Sequence, residues 1–142
     1  MKFLHTADLH IGKKVFGQSL IEDQSYILDR IYEIALKEKV DAVVIAGDIY
    51  DRAIPPADAV CLLDDFLTRL SGAGIPVIAV SGNHDSAERV SFAGRILEKQ
   101  GLHIAGGIQE PLKTVTMEDA YGTVSFVCMP FVRPAEAGTA TS

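Results

Sequence analysis

The chain has 142 residues, 48% of them hydrophobic, enough for one packed core and too little for two domains. Its formal net charge of −6 argues against a protein that binds nucleic acid by bulk charge alone, but leaves room for an enzyme whose cations are bound metals. No apolar run approaches the ~20 residues of a membrane-spanning helix and no signal-peptide core follows Lys2, so a cytoplasmic protein with no membrane partner is expected.

In chain order, residues 2–6 read as a first strand, with His5 packed in the core, and residues 7–14 as a loop carrying Asp8 and His10. Residues two apart in an extended segment point the same way, so this carboxylate and imidazole can share one metal ion. Oxygen plus imidazole nitrogen suits Mn, Fe or Zn better than Ca. A helix is predicted over 21–38, with Ile27, Leu28, Ile31, Ile34 and Ala35 as its core stripe. Ala42 to Ala46 is a near-continuous apolar run rich in β-branched residues, the signature of a parallel strand buried on both faces. It runs into Gly47 and Asp48, at the strand end where open α/β sheets bind ligands.

Pro55-Pro56 admits a second helix. Val60, Leu63, Phe66, Leu67 and Leu70 form its buried face, and Gly72 and Gly74 end it. Residues 75–80 are a third strand, followed by Gly82-Asn83-His84-Asp85, a helix over 86–100 and a short strand over 102–104. This β-α-β-α-β-α-β order implies right-handed crossovers and a largely parallel sheet. Residues 112–117 and 123–129 then read as an antiparallel pair, and 135–142 as a loose tail. Cys61 and Cys128, far apart and without a CxxC, read as two buried, reduced thiols.

Asp8-x-His10, Gly47-Asp48 and Gly82-Asn83-His84-Asp85 each follow an apolar strand. Together they suit a two-metal hydrolase, in which two divalent ions ~3.5–4 Å apart clamp a phosphate and activate a water. Asp48, with two oxygens and a central position, is the natural bridge; Asp8 and His10 would hold one ion and Asn83 the other. The His84 ring would reach the phosphate, and Asp85 would accept a hydrogen bond from that ring and keep it charged for acid catalysis.

These motifs resemble those of the calcineurin-like metallophosphoesterase superfamily, whose domain is an α/β fold of the αββα sandwich type. The flanking residues Leu4-His-Thr-Ala-Asp8-Leu-His10-Ile-Gly-Lys13, Gly47-Asp48-Ile-Tyr-Asp51-Arg-Ala-Ile-Pro55-Pro56 and Phe131-Val-Arg-Pro134 resemble the SbcD branch. That resemblance implies a Mn2+-dependent nuclease (Mg2+ being the second choice) in DNA repair and recombination. It would degrade double-stranded ends, nick single strands and hairpins, partner an SbcC-type ATPase and form a homodimer. It assigns Asp8, His10, Asp48 and Asn83 as metal ligands and His84 as the catalytic histidine, and leaves Asp51 open, where some relatives carry histidine.

The family's later histidine and Gly-His-x-His motif are absent from these 142 residues; His103 reads as structural. Residues 1–134 are therefore expected to be the N-terminal portion of the domain, weak in metal binding and nearly inactive alone. Two other readings remain: a protein phosphatase or small phosphodiesterase, faintly echoed by Gly47-Asp48-x-x-Asp51-Arg52, and a metal-free interaction module on the same scaffold. Lys13, Lys14, Arg52 and Arg89 lie beside the loops and are candidates for DNA phosphates.

Overall fold

The computed structural model describes residues 1–137. Its strands are β1 (Phe3–Thr6), β2 (Lys14–Val15), β3 (Gln18–Ser19), β4 (Ala42–Ala46), β5 (Val77–Val80), β6 (Leu102–Ala105), β7 (Thr114–Asp119) and β8 (Gly122–Val127). Its helices are α1 (Ile21–Lys37), α2 (Ala57–Gly72) and the single turns α3 (Ala87–Val90), α4 (Gly94–Leu97) and α5 (Pro134–Ala137). No described helix is long and apolar enough to cross a membrane. The tail expected over 135–142 lies mostly outside the described residues; α5 occupies its first positions.

Strands β1, β4, β5 and β6 form one parallel sheet in the order β1-β4-β5-β6, as the alternation of strands and helices requires. The register aligns Thr6 with Ile45 and Ala46 with Val80, so three strand tips end level on one edge. Alternate side chains then face opposite layers. Val43, Ile45, Val77, Ala79 and Leu102 pack with Leu28 and Ala35 of α1 and Leu63, Phe66 and Leu70 of α2. Val44, Ile78, Val80 and Ala105 meet Val115, Met117, Phe126 and Cys128 of the β7–β8 hairpin and its flank. Helices, parallel sheet and antiparallel hairpin are thus three successive layers of the predicted α/β sandwich. The Met1 ammonium, paired with Asp119, ties the start of β1 to the hairpin turn.

Several sequence expectations are corrected. His5 is exposed, because β1 is the edge strand and the hairpin meets its neighbour Phe3, whose ring lies 5.5 Å from Phe126, but does not cover His5. On α1 the sheet contacts only a narrow stripe: Leu28 and Ala35 are buried, while Ile27 and Ile34 are half exposed. Val60 of α2 is exposed too. Cys61 lies on the outer side of α2 and is exposed; Cys128 is buried, and that burial pushes its thiol pKa up.

The single helix predicted over 86–100 is broken. Ser86 caps α3 through the Arg89 N–H (3.4 Å), and the Ser91 hydroxyl donates back to the Ala87 carbonyl (2.7 Å). Ala93 then turns left-handed, at φ +58°, before α4 begins. The Gly106 backbone passes so close that a Cβ there would sit 2.0 Å from the Ala87 carbonyl oxygen, so α3 is wedged against the end of β6.

Candidate metal centre

The first loop does not run extended. Asp8 and His10 both adopt left-handed backbone, at φ +53° and +44°, as does Asp48 at φ +48°. Such conformations cost about 1–2 kcal/mol each in a non-glycine residue and persist where surrounding contacts impose them. Here the contacts are backbone bonds along the tip of β4: Asp8 N–H to the Gly47 carbonyl (3.1 Å), His10 N–H to Asp48 (3.0 Å) and Ile11 N–H to Ile49 (2.9 Å). The Asp8/His10 pair therefore converges because its loop is laced to the next one, not because of strand alternation. From α1, Gln24 clamps the same loop, accepting from Gly12 N–H (2.9 Å) and donating to the His10 carbonyl (2.8 Å).

Donor atoms of Asp8, His10 and Asp48 all lie within 4.8 Å of one another. His10 Nε2 stands 3.7 Å from Asp8 Oδ1 and 3.6 Å from Asp48 Oδ2, so one imidazole nitrogen faces two carboxylates. The exposure grades outward, from Asp48 at 11% and His10 at 20% to Asp8 at 72%. Two carboxylates this close repel unless a cation or proton intervenes. Oxygen and imidazole donors of this kind fit a divalent cation.

The third loop closes over Asp48. Its Oδ1 accepts the His84 backbone N–H (3.0 Å). The approach is so tight that a Cβ on Gly82 would stand 2.1 Å from the same oxygen. The His84 ring lies across the His10 ring, centroids 5.1 Å apart at 83°, and is exposed toward solvent. Asn83, also exposed, precedes it on the loop. The structure thus brings Asp8, His10, Asp48 and the His84 ring together, with Asn83 next to His84 in the chain.

Asp85 departs from its expected place. Its carboxylate is buried and accepts three backbone N–H groups: Ile49 (3.0 Å), Tyr50 (2.8 Å) and Gly82 (2.8 Å). Both oxygens are committed beneath the loops, so Asp85 does not serve the His84 ring; it fastens the second loop to the third. The neighbour of the His84 ring is the Asp51 carbonyl, 3.2 Å from Nδ1.

Residues 1–132 match the family model for calcineurin-like phosphoesterases. The chain belongs to that family. It is also 42% identical, over 132 residues, to the SbcD subunit of the nuclease SbcCD from Staphylococcus saprophyticus. That stretch is 92% of this chain and 34% of the relative, so the chain spans about a third of the relative's length. The metallophosphoesterase fold and the SbcD-type resemblance read from the three motifs both hold.

Sequence reasoning missed Gln24 and the placement of Asp51, whose carboxylate lies 3.3 Å from His10 Nδ1. A polar residue near the start of a helix gives no signal of a loop clamp, whereas Asp51 stood in a recognised motif with its direction unknown. His103 sits beside Ile78 on β6, below the strand tips, where burial lowers its pKa; it lies apart from the donor cluster. Lys13, Lys14, Arg52 and Arg89 are all exposed. The β2–β3 hairpin next to Lys13 and Lys14 carries Phe16 fully in solvent.

Proposed function

We propose that this chain is the metal-binding portion of a DNA nuclease of the SbcD type, with Asp8, His10, Asp48 and Asn83 as ligands and His84 as the catalytic group. The observation that carries the reading is the convergence of Asp8, His10 and Asp48 within 4.8 Å at one sheet edge. The similarity to a nuclease subunit favours DNA as substrate over phosphoprotein. When bound, two divalent ions, Mn2+ first and Mg2+ as a substitute, supply Lewis-acid activation of water and neutralise phosphate charge.

The protein's own residues then divide the work. Asp48, held at one oxygen by the His84 N–H, keeps the other 3.6 Å from His10 Nε2 and would be the ligand shared by the two ions. The His84 ring, exposed and steadied at Nδ1 by the Asp51 carbonyl, leaves Nε2 for the substrate. From there it donates to the phosphoryl group or protonates the leaving oxygen. Lys13, Lys14 and the exposed Phe16 suit backbone and base contacts next to the centre. Ends and hairpins of DNA are the proposed substrates, in repair and recombination in the cytoplasm, with an SbcC-type ATPase as partner.

Four protein donors fall short of two filled coordination shells, so the 142-residue chain alone is expected to bind Mn2+ weakly and turn over little. A longer protein, of the SbcD relative's length, should degrade double-stranded ends with Mn2+. In it, His84→Gln should lower kcat by at least about 100-fold, the scale of a lost general acid, while calorimetric Mn2+ affinity stays. Equal turnover by the variant, or hydrolysis of phosphopeptide in preference to DNA, would count against the nuclease reading.

The same reading includes a homodimer. Phe92 and Val60, 79% and 44% exposed, flank a cleft lined by Leu63, Leu67 and Leu97 with Asp64 and Arg89 at its wall. Sedimentation should show a dimer that Phe92→Glu converts to monomer; unchanged sedimentation of the folded variant removes this face as the contact.

A further inference from the structure

His10 poses a question the ligand assignment leaves open: which ring nitrogen carries the proton. The neutral imidazole has one donor and one acceptor nitrogen, and only the bare one can ligate a cation. Nε2 faces the Asp8 and Asp48 carboxylates at 3.7 and 3.6 Å. Nδ1 is buried and has no aligned hydrogen bond, yet Asp51 Oδ1 lies only 3.3 Å away. Were Nδ1 bare, its lone pair would face the Asp51 carboxylate at an atom shut off from water, whereas Nε2 looks toward the exposed Asp8, where water or a cation can intervene. With a proton on Nδ1, the contact becomes a charge-assisted donor–acceptor pair that needs only a small rotation to align.

We propose that Asp51 is a positioning residue that sets the tautomer of His10, holding it as Nδ1–H with Nε2 free. Its carboxylate serves His10 and its carbonyl serves His84, at 3.3 and 3.2 Å from the respective Nδ1 atoms. Asp51 is fixed for the task, since its N–H donates to the Ile11 carbonyl at 3.1 Å, inside the strap that laces the first two loops. The two rings stand at 83° with centroids 5.1 Å apart, so one residue lying behind both can address each from its outer edge. His10 then presents a lone pair among carboxylates, as a cation ligand must, and a carboxylate on the far nitrogen raises that ligand's basicity. The usefulness of the arrangement rests on the metal-centre reading above; the tautomer itself does not.

The test is a long-range proton–nitrogen correlation spectrum of the ¹⁵N-labelled protein, recorded without metal, joined to Mn2+ calorimetry. The wild type should show His10 with protonated Nδ1 and bare Nε2. Asp51→Ala should shift His10 toward the Nε2–H tautomer and weaken Mn2+ binding about 10- to 100-fold, the usual loss on removing such an outer partner. Asp51→Asn, whose amide oxygen still accepts from Nδ1, should keep the tautomer and lose less affinity, a rescue that mere packing does not predict. His10 found as Nε2–H in the wild type overturns the proposal without recourse to any variant. So does an Asp51→Ala spectrum with an unchanged His10 tautomer. An Nδ1–H tautomer in a full-length protein that takes up no Mn2+ supports the role of Asp51 and instead removes the metal-centre reading.

Discussion

In the longer protein, Gly82→Ala is expected to abolish Mn2+ binding and hydrolysis, although it removes no ligand. A Cβ at this position would lie 2.1 Å from Asp48 Oδ1, 2.3 Å from its backbone N and 2.7 Å from its Cγ. Contacts of that kind are not tolerated, so either the Asp48 side chain or the third loop must shift. Each escape is blocked on one side. Asp48 Oδ1 is tied to the His84 N–H, and the loop is tied down by Asp85 at the Gly82 N–H. The Gly47 Cα, left-handed at φ +89°, lies under the same loop, and a Cβ there would stand 3.2 Å from Gly82. Displacing the central carboxylate by about an ångström is enough to lose ~100-fold in rate, even where the chemistry is otherwise intact. Calorimetry with Mn2+, beside a circular-dichroism check that the fold survives, measures the effect. Wild-type affinity in a folded Gly82→Ala protein would show that Asp48 is not the shared ligand.

Asp85→Ala is expected to be the most destabilising single change at the loops. The substitution strips three buried N–H groups, on Ile49, Tyr50 and Gly82, of their acceptor at once. A hydrogen bond to a charged acceptor contributes about 1.5–3 kcal/mol, and a buried donor left unmade costs its desolvation besides. Three such bonds sum to about 4.5–9 kcal/mol, a large share of the ~5–15 kcal/mol that holds a domain folded. Asp85→Asn keeps one acceptor oxygen but points an amide N–H at a backbone donor, so it should recover only part. Urea denaturation reads both variants. A loss under about 1 kcal/mol for Asp85→Ala, the level of an ordinary surface substitution, would mean that water replaces the carboxylate and that the loops do not depend on it.

The parts of the fold legible in the sequence are those where local pattern and burial agree. Ala42 to Ala46 and Val77 to Val80 read as strands because both of their faces are covered, by helices on one side and the hairpin on the other. The helix over 86–100 misled because its composition is helical while its backbone is interrupted at Ala93, next to the close crossing of Ala87 and Gly106. Apolar residues on the outer faces of α1 and α2, such as Ile27, Ile34 and Val60, carry the helical period yet stay largely uncovered among the described residues. Periodicity reports which residues share a face, not whether a neighbour covers it.

The sequence by itself determined that three apolar strands deliver Asp8 and His10, Asp48, and Asn83 and His84 to one edge of a sheet, because strand order and parallel register follow from the alternating elements. Which carboxylate serves which partner was decided only by tertiary structure. From the sequence, Asp85 next to His84 is the obvious companion of that ring, and Asp51 a loop residue. In the fold the two exchange places: Asp85 turns under the loops and Asp51 stands behind both histidines. The physical reason is that pairing β4 with β5 strands three backbone N–H groups in a buried pocket, and an ionised carboxylate within reach is the acceptor that satisfies them all.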